Sequence, residues 1–427
     1  MTRFLFRLAL LAPSCAVAGG CTVISDVIGS EKRDVYKFDH PFSVADPAFR
    51  RSLDTFGTAM VSGNTAELLK NGDEIFPVMT KAIREAQKTV NLETYIFQPD
   101  EAGKQFADAM IEAAGRGVEV RLLIDAWGSK LGDLQDRIEK SGIRWRKYRP
   151  IRLFSFYKMG KRTHRKILVV DGKVAFTGGL GISQQWLGNA RNSREWRDTQ
   201  VRVTGPVVDQ MQAIFAEDWT YTTGEILAGD KFYARNEGPG APAGSVQAQA
   251  IKVSRGDASS LAKMFYYVAI KSAVKSIHIQ NAYFLPDRQV RDALVAAVAR
   301  GVDVKIMVPG RHIDLPMVRF ASWLNYGDML KGGVKIYEYK HTMMHNKTMV
   351  VDGVFSTIGS INFDARSMNR NAEESLAFYD AGFAQKVEEM FDDDLKNCKE
   401  ITFEAFDHRG FGKRVTEVLS YIWAPYY

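Results

Sequence analysis

The chain has 427 residues, 46% of them hydrophobic and 25% charged, which is enough to build a sizeable core over two or more ordinary domains. Its net charge of +7 suits an anionic partner without choosing between a lipid headgroup and a nucleic acid. Three cysteines exclude a disulfide framework, and after the first twenty residues no apolar run reaches the length of a membrane span.

At the N-terminus, Arg3 and Arg7 precede the apolar run Leu8-Ala9-Leu10-Leu11-Ala12, and the small residues Ala18-Gly19-Gly20 precede Cys21. This is a secretory signal layout. A cysteine after small residues resembles a bacterial lipoprotein cleavage site. The expectation is a signal segment over 1–20, lipidation at Cys21 and a tether over 21–45, with the protein exported and membrane-associated in a bacterial cell envelope. Ala18 stands where such sites usually have a branched residue, so plain signal cleavage and retention as a short anchor stay open.

The next segments alternate. Ile75, Met79, Ile83 and Ala86 share one helical face behind a predicted N-cap at Asp73. Thr89 to Phe97 reads as a strand, followed by a helical stretch and a second strand over 116–125. The order then recurs: Ser276 to Gln280, a helical stretch, and a strand over 300–308. Gly142 to Tyr148 likewise matches Gly333 to Tyr339. Between the copies lies Gly238-Pro239-Gly240-Ala241-Pro242-Ala243-Gly244-Ser245, too rich in Gly and Pro for regular structure. The predicted fold class is α/β, a sheet-and-helix sandwich in each half. The domains are a first half over 46–235, a linker over 236–248 and a second half over 249–427.

Each half carries one copy of H-x-K-x-x-x-x-D. The first is His164, Lys166 and Asp171; the second is His345, Lys347 and Asp352. Both run into an Asp-Gly hairpin signal and reach a small-residue pair, Gly178-Gly179 and Gly359-Ser360. A histidine and a lysine two apart on a strand point to one face. Two such faces together surround one pocket with two histidines and two lysines, a constellation for handling a phosphodiester. Seven histidines in the chain make a chance double match with shared flanks improbable.

These residues resemble the two-motif phospholipase D superfamily, and the bacterial cardiolipin synthases in particular. The likeness runs from about Gly72 to the C-terminus. It is strongest in Trp196-Arg197-Asp198-Thr199, in Asn281-Ala282-Tyr283-Phe284, and in Gly359-Ser360-Ile361-Asn362-Phe363-Asp364 with Asn371 and Glu373. The first copy departs from the pattern: Gly181 stands where the second copy has Asn362.

The resemblance implies tandem duplicated phospholipase D-type domains with the active site at the interface of the two halves. Lys166 and Lys347 would neutralise phosphate oxygens, His164 would attack phosphorus, and His345 would serve as acid and base. The resemblance also assigns Asp198 to the first-half histidine and Glu373 to the second, with Glu195 and Glu374 as neighbouring rivals. Ser360 and Asn362 would donate to phosphate. Asp171 and Asp352 belong to the catalytic motif but close hairpins, so they are expected to fix its loops. Glu93 and Gln280 sit at equivalent places on strands, where packing is the default reading.

The expected reaction makes cardiolipin from phosphatidylglycerol through a phosphohistidine, with no cofactor and no metal. The expected partners are an anionic phospholipid and a membrane surface, not nucleic acid; a protein partner is left unassigned. Hydrolysis to phosphatidic acid and an envelope nuclease are the alternatives. Two further stretches stay open. Arg144 to Arg149, continuing through Phe154, Phe156, Tyr157, Lys158, Lys161 and Arg162, mixes cations and rings. It fits headgroups, a single nucleic-acid strand or plain solvent. Val418 to Tyr427 reads either as a strand or turn packed on the core or as a membrane-facing tail.

Overall fold

The computed structural model describes residues 36–38, 42–150, 161–234, 244–254 and 261–422. The signal segment, Cys21, most of the Gly–Pro linker, the run from Phe154 to Lys158 and the last five residues lie outside them.

In chain order the first half consists of α1 (Pro47–Leu53), β1 (Val61–Lys70), α2 (Asn71–Glu85), β2 (Thr89–Thr94), α3 (Glu101–Gly115), β3 (Glu119–Asp125), α4 (Leu134–Lys140), β4 (Arg144–Tyr148), β5 (Lys166–Val170), β6 (Val174–Gly178), β7 (Thr199–Thr204) and α5 (Val207–Thr223). The second half repeats this plan as β8 (Val246–Val253), α6 (Leu261–Ser272), β9 (Ser276–Asn281), α7 (Arg288–Ala299), β10 (Asp303–Pro309), α8 (Pro316–Lys331), β11 (Lys335–Tyr339), β12 (Lys347–Val351), β13 (Phe355–Gly359), α9 (Ala365–Asn369), β14 (Glu373–Tyr379) and α10 (Ala381–Leu395). It then adds β15 (Cys398–Ile401), α11 (Phe403–Asp407) and α12 (Phe411–Ile422).

Among the described residues the strands form one mixed sheet. Its order is β4-β3-β2-β5-β6-β7-β1, then β8-β14-β13-β12-β9-β10-β11, with β15 at the outer edge. The second run repeats the first in reverse, and the halves meet where β1 pairs antiparallel with β8. One apolar core lies under each half. A third is shared: Ile167, Val169, Val201 and Val203 pack in one cluster with Val350, Ile358, Leu376 and Phe378. The inner faces of the two halves therefore bury each other, and the motif strands β5 and β12 are buried along their whole length.

The motif turns explain the Asp-Gly pairs. Asp171 and Gly172 have φ of 55° and 64°, and Asp352 and Gly353 have 54° and 67°. Only glycine, and less easily aspartate or asparagine, accepts that region at low cost.

Three expectations change. Helix α2 begins at Asn71, so Asp73 lies in its first turn, where its charge favours the helix dipole, and does not cap it. The basic-aromatic stretch divides. β4 is an edge strand whose exposed cations blunt the edge, whereas Arg162 is buried over the Trp127 ring at 5.2 Å. The segment from Val418 to Ile422 is neither strand nor turn but the end of helix α12, with Val418 and Leu419 exposed.

Candidate active site

Each motif histidine is placed by backbone bonds to the opposite half. His164 N–H donates to the carbonyl of Ala372 at 2.8 Å, and Ala372 N–H returns to that of Arg162. In the other direction, Arg197 N–H donates to Met343 and His345 N–H donates to Arg197 at 2.7 Å. The residues just beyond these contacts are Glu373 and Asp198.

The acid partners are consequently crossed. His164 Nδ1 lies 2.8 Å from Glu373 Oε2, and His345 Nδ1 lies 2.9 Å from Asp198 Oδ2. The expectation of Asp198 for the first half and Glu373 for the second is corrected. The cause is that each acid-bearing segment runs alongside the other half's histidine segment. The rivals serve elsewhere. Glu195 accepts from the backbone of Asn189 and Arg191 in a surface loop. Glu374 accepts from Lys166 N–H at 3.1 Å and from Thr177 Oγ1 at 2.5 Å, which fixes the start of β5.

The surroundings of the two acids differ. Glu373 accepts from Ser360 Oγ at 2.5 Å, Ser367 Oγ at 2.8 Å and Asn371 Nδ2 at 3.3 Å. Ser360, expected at the phosphate, instead gives its hydroxyl to Glu373. Asn362 is buried; its Nδ2 lies 3.4 Å from Ser367 Oγ, and its Oδ1 has no hydrogen-bond partner among the described residues. Asp198 accepts from Thr199 N–H at 2.8 Å and from the indole of Trp186 at 2.7 Å.

Trp186 also explains Gly181. A Cβ at Gly181 would stand 2.8 Å and 2.9 Å from two carbons of that indole. The ring thus fills the space that an asparagine side chain would need, and its N–H serves the dyad from there. Sequence reasoning noticed the missing asparagine but not what replaced it. The available signal was a tryptophan five residues beyond an unexpected glycine.

The lysines lie close in. Lys347 Nζ is 3.0 Å from both ring nitrogens of His345 and donates to the His345 carbonyl at 2.6 Å. Lys166 Nζ donates to the His164 carbonyl at 2.6 Å. Aromatic rings flank the two histidines: Tyr95 at 5.2 Å from the His164 ring, and Trp186, Trp196 and Tyr283 at 5.4, 5.6 and 6.2 Å from the His345 ring.

Burial governs the protonation states. It drives His164 down to about 4 against the pull of Glu373, with Lys166 and Lys347 adding to the fall. His345 drops to about 4 through burial and then Lys347. Burial brings Lys347 down to about 7 and also lowers Lys166. For Glu373, burial is outweighed by His164, Lys166 and Ser360, and for Asp198 by His345, Lys347 and Trp186; both carboxyls fall below their ordinary range. At neutral pH each imidazole is therefore neutral and holds its proton on Nδ1 toward a carboxylate; Nε2 carries the lone pair, which in His345 faces Lys347 Nζ at 3.0 Å. Lysines of one half act on histidines of the other, so the four groups share one electrostatic site.

Asp171 and Asp352 are not part of it. At the far end of their strands, Asp171 accepts from the N–H groups of Gln87, Lys88 and Thr89, and Asp352 from those of Val274, Lys275 and Ser276. Reading them as catalytic is corrected: they lock the hairpin to the neighbouring strand. Glu93 is buried and accepts from Thr163, and Gln280 donates to Asp394 at 2.7 Å, so both are framework residues.

Residues 79–219 and 266–395 match the family model described as cardiolipin synthase, PLD-like domain. The chain belongs to that family. A probable cardiolipin synthase of Bacillus subtilis is 35% identical over 355 residues, covering 82% of this chain and 70% of that protein. A cardiolipin synthase of Clostridium perfringens is 33% identical over 397 residues, covering 91% and 83%. Among solved structures, a phosphatidylserine synthase of Haemophilus influenzae superposes with a TM-score of 0.68 at 14% identity, covering 88% of this chain and 96% of its own. That last likeness is one of fold.

Proposed function

We propose that this chain is a phosphatidyl transferase that makes cardiolipin at a membrane surface of the bacterial cell envelope. The observation that carries the reading is the crossed pair of dyads, His164–Glu373 and His345–Asp198, held with two buried lysines in a chain of the cardiolipin synthase family. The repeats 46–235 and 249–427, joined by 236–248, each give one histidine to the pocket and one carboxylate to the other's histidine.

The donor phosphatidylglycerol brings a singly charged phosphate between Lys166 and Lys347, which screen its oxygens. Its negative charge raises the proton affinity of His345, which takes up a proton. His164 Nε2 attacks phosphorus; the P–N bond forms, the bond to glycerol oxygen breaks, and His345 protonates the departing alkoxide. His345, now neutral, removes the proton from the glycerol hydroxyl of a second phosphatidylglycerol. That oxygen displaces His164, giving cardiolipin. One diester is broken and one made, so no nucleotide is needed. Asn362 would add a contact to the phosphate through its Nδ2 group, and Ser360 would act on it only through Glu373.

The test is to incubate purified protein with phosphatidylglycerol vesicles and follow lipids and glycerol by mass spectrometry, with His164→Ala and His345→Ala alongside. Cardiolipin and glycerol formed only with both histidines intact uphold the reading. Phosphatidic acid in place of cardiolipin would make water the acceptor and the protein a hydrolase.

A further inference from the structure

Helix α12 is built inside out. At 100° per residue, Phe411, Val415, Val418, Leu419 and Ile422 fall in one stripe about 100° wide. In a globular protein such a stripe faces the core. Here Phe411 is 82% exposed, Leu419 58% and Val418 50%, while the inward positions are Glu417 at 2% and Ser420 at 3%. Glu417 accepts from Arg409 Nε at 2.8 and 2.9 Å, and Arg409 lies over the Phe406 ring. The helix is thus pinned against α8 through its polar face, and its apolar face is left outward. Contiguous exposed apolar surface of this kind marks an interaction site.

The observations choose the occupant. Of the charges on α12, Glu417 is turned inward, Lys413 is exposed on the side away from the stripe, and Arg414 borders the stripe within 3.9 Å of Asp407. A second copy docked on this face would bring the two Arg414 side chains together, whereas an anionic bilayer would attract each of them. The sequence beyond Ile422 supplies Trp423, Tyr426 and Tyr427, ring types that favour the boundary between headgroup and acyl chain. α8 links this face to the pocket. Leu315 and Met317 at its start are exposed, and the adjacent Asp314 accepts from the hydroxyl of Tyr283, which flanks His345.

We propose that α12 is an interfacial helix that seats the protein on an anionic bilayer, its stripe immersed among the acyl chains and Arg414 at its border among the phosphates. The proposal rests on phospholipid being the substrate. Hydrogen exchange of the full chain is followed over 411–422 with and without phosphatidylglycerol vesicles. Turnover of the wild type and of Val418→Glu with Leu419→Glu is compared on those vesicles and on monomeric short-chain phosphatidylglycerol. The expected result is vesicle-dependent protection of α12, together with a loss of vesicle turnover of at least about tenfold in the variant and unchanged turnover of the monomer. Unaltered exchange of α12 on vesicles, or equal vesicle turnover in the variant, overturns the proposal. So does lipid-free protection of α12 that grows with protein concentration, which would make a second copy the occupant. A wild type inactive on the monomer would instead sink the catalytic reading, since protection is measured without turnover.

Discussion

His164 and Glu373 stand 209 positions apart in the chain and 2.8 Å apart in the fold. His345 and Asp198 reproduce the arrangement at 2.9 Å in the opposite sense. Neither half therefore contains a complete dyad. The duplication completes its dyads only because the inner faces of the two halves of the sheet bury each other and carry each acid across the seam.

Crossing makes the effects of the acids separable. Asp198→Asn should weaken His345 as a proton donor and lower turnover of phosphatidylglycerol by about 10²–10⁴-fold. A phosphatidyl ester of p-nitrophenol needs no protonation on leaving, so release of that phenol should largely recover in this variant. Glu373→Gln should be as damaging with either leaving group, because it disturbs the nucleophile. Recovery in Glu373→Gln instead would reverse the roles given to the two histidines.

The basic side of the pH profile should belong to Lys347. Burial lowers it to about 7, so it is charged below that pH and neutral above it. Affinity for an anionic phosphate, and with it kcat/KM, should fall as pH rises through about 7. Lys347→Arg keeps its charge throughout and should move that fall upward even if its absolute rate is lower. Rates measured from pH 5 to 9 decide it; an unmoved limb in the arginine variant would assign the titration to another group.

Much of this was legible in the sequence, because repeats and local periodicity are written locally. The two motifs, the order of strands and the pairing of β5 with β6 through Asp171-Gly172 all follow from short patterns. Which acid meets which histidine depends on a contact between Thr163 and Ala372 that no local pattern encodes. The outward stripe of α12 stayed open between a core-packed and a membrane-facing reading for a related reason. An apolar run suggests burial, and only the placement of Glu417 under the helix shows which face was turned in.

Trp186 should prove to be a positioning residue for His345. Trp186→Phe keeps the ring but removes the bond to Asp198, worth about 1.5–3 kcal/mol for a charged acceptor. We expect kcat to fall about 10–100-fold with KM little changed. Gly181→Asn drives a Cβ against the same ring and should lower both stability and kcat. In a Trp186→Ala background the space is free, so the added cost of Gly181→Asn should shrink. Equal costs in both backgrounds would mean that the ring is not what excludes the asparagine.

Asp171 and Asp352 should matter for stability rather than chemistry. Each carboxylate gathers three backbone N–H groups, and replacing either with alanine leaves those donors without it. A loss of about 1–3 kcal/mol in urea unfolding is expected for each variant. The pH dependence of the folded fraction's activity should match wild type. A displaced pH profile would put these residues back in the chemistry.

Glu374 supplies a stability signature with a definite sign. Burial raises it to about 7, above its ordinary carboxylate value, so the folded protein holds that proton more tightly than the unfolded chain. Its contribution is fully present below the unfolded value and is lost as pH rises toward 7. His164 and His345 act oppositely. Their lowered values make the native state less stable as pH falls from about 6.5 toward 4. Glu374→Gln retains an oxygen for Lys166 N–H and Thr177 but cannot ionise. Relative to wild type, it should gain unfolding free energy between pH 5 and pH 8 and keep the loss below pH 6. If the difference from wild type is the same at pH 5 and pH 8, Glu374 is ionised in the native state at both, and the burial of Lys166 beside it must be compensated by that charge.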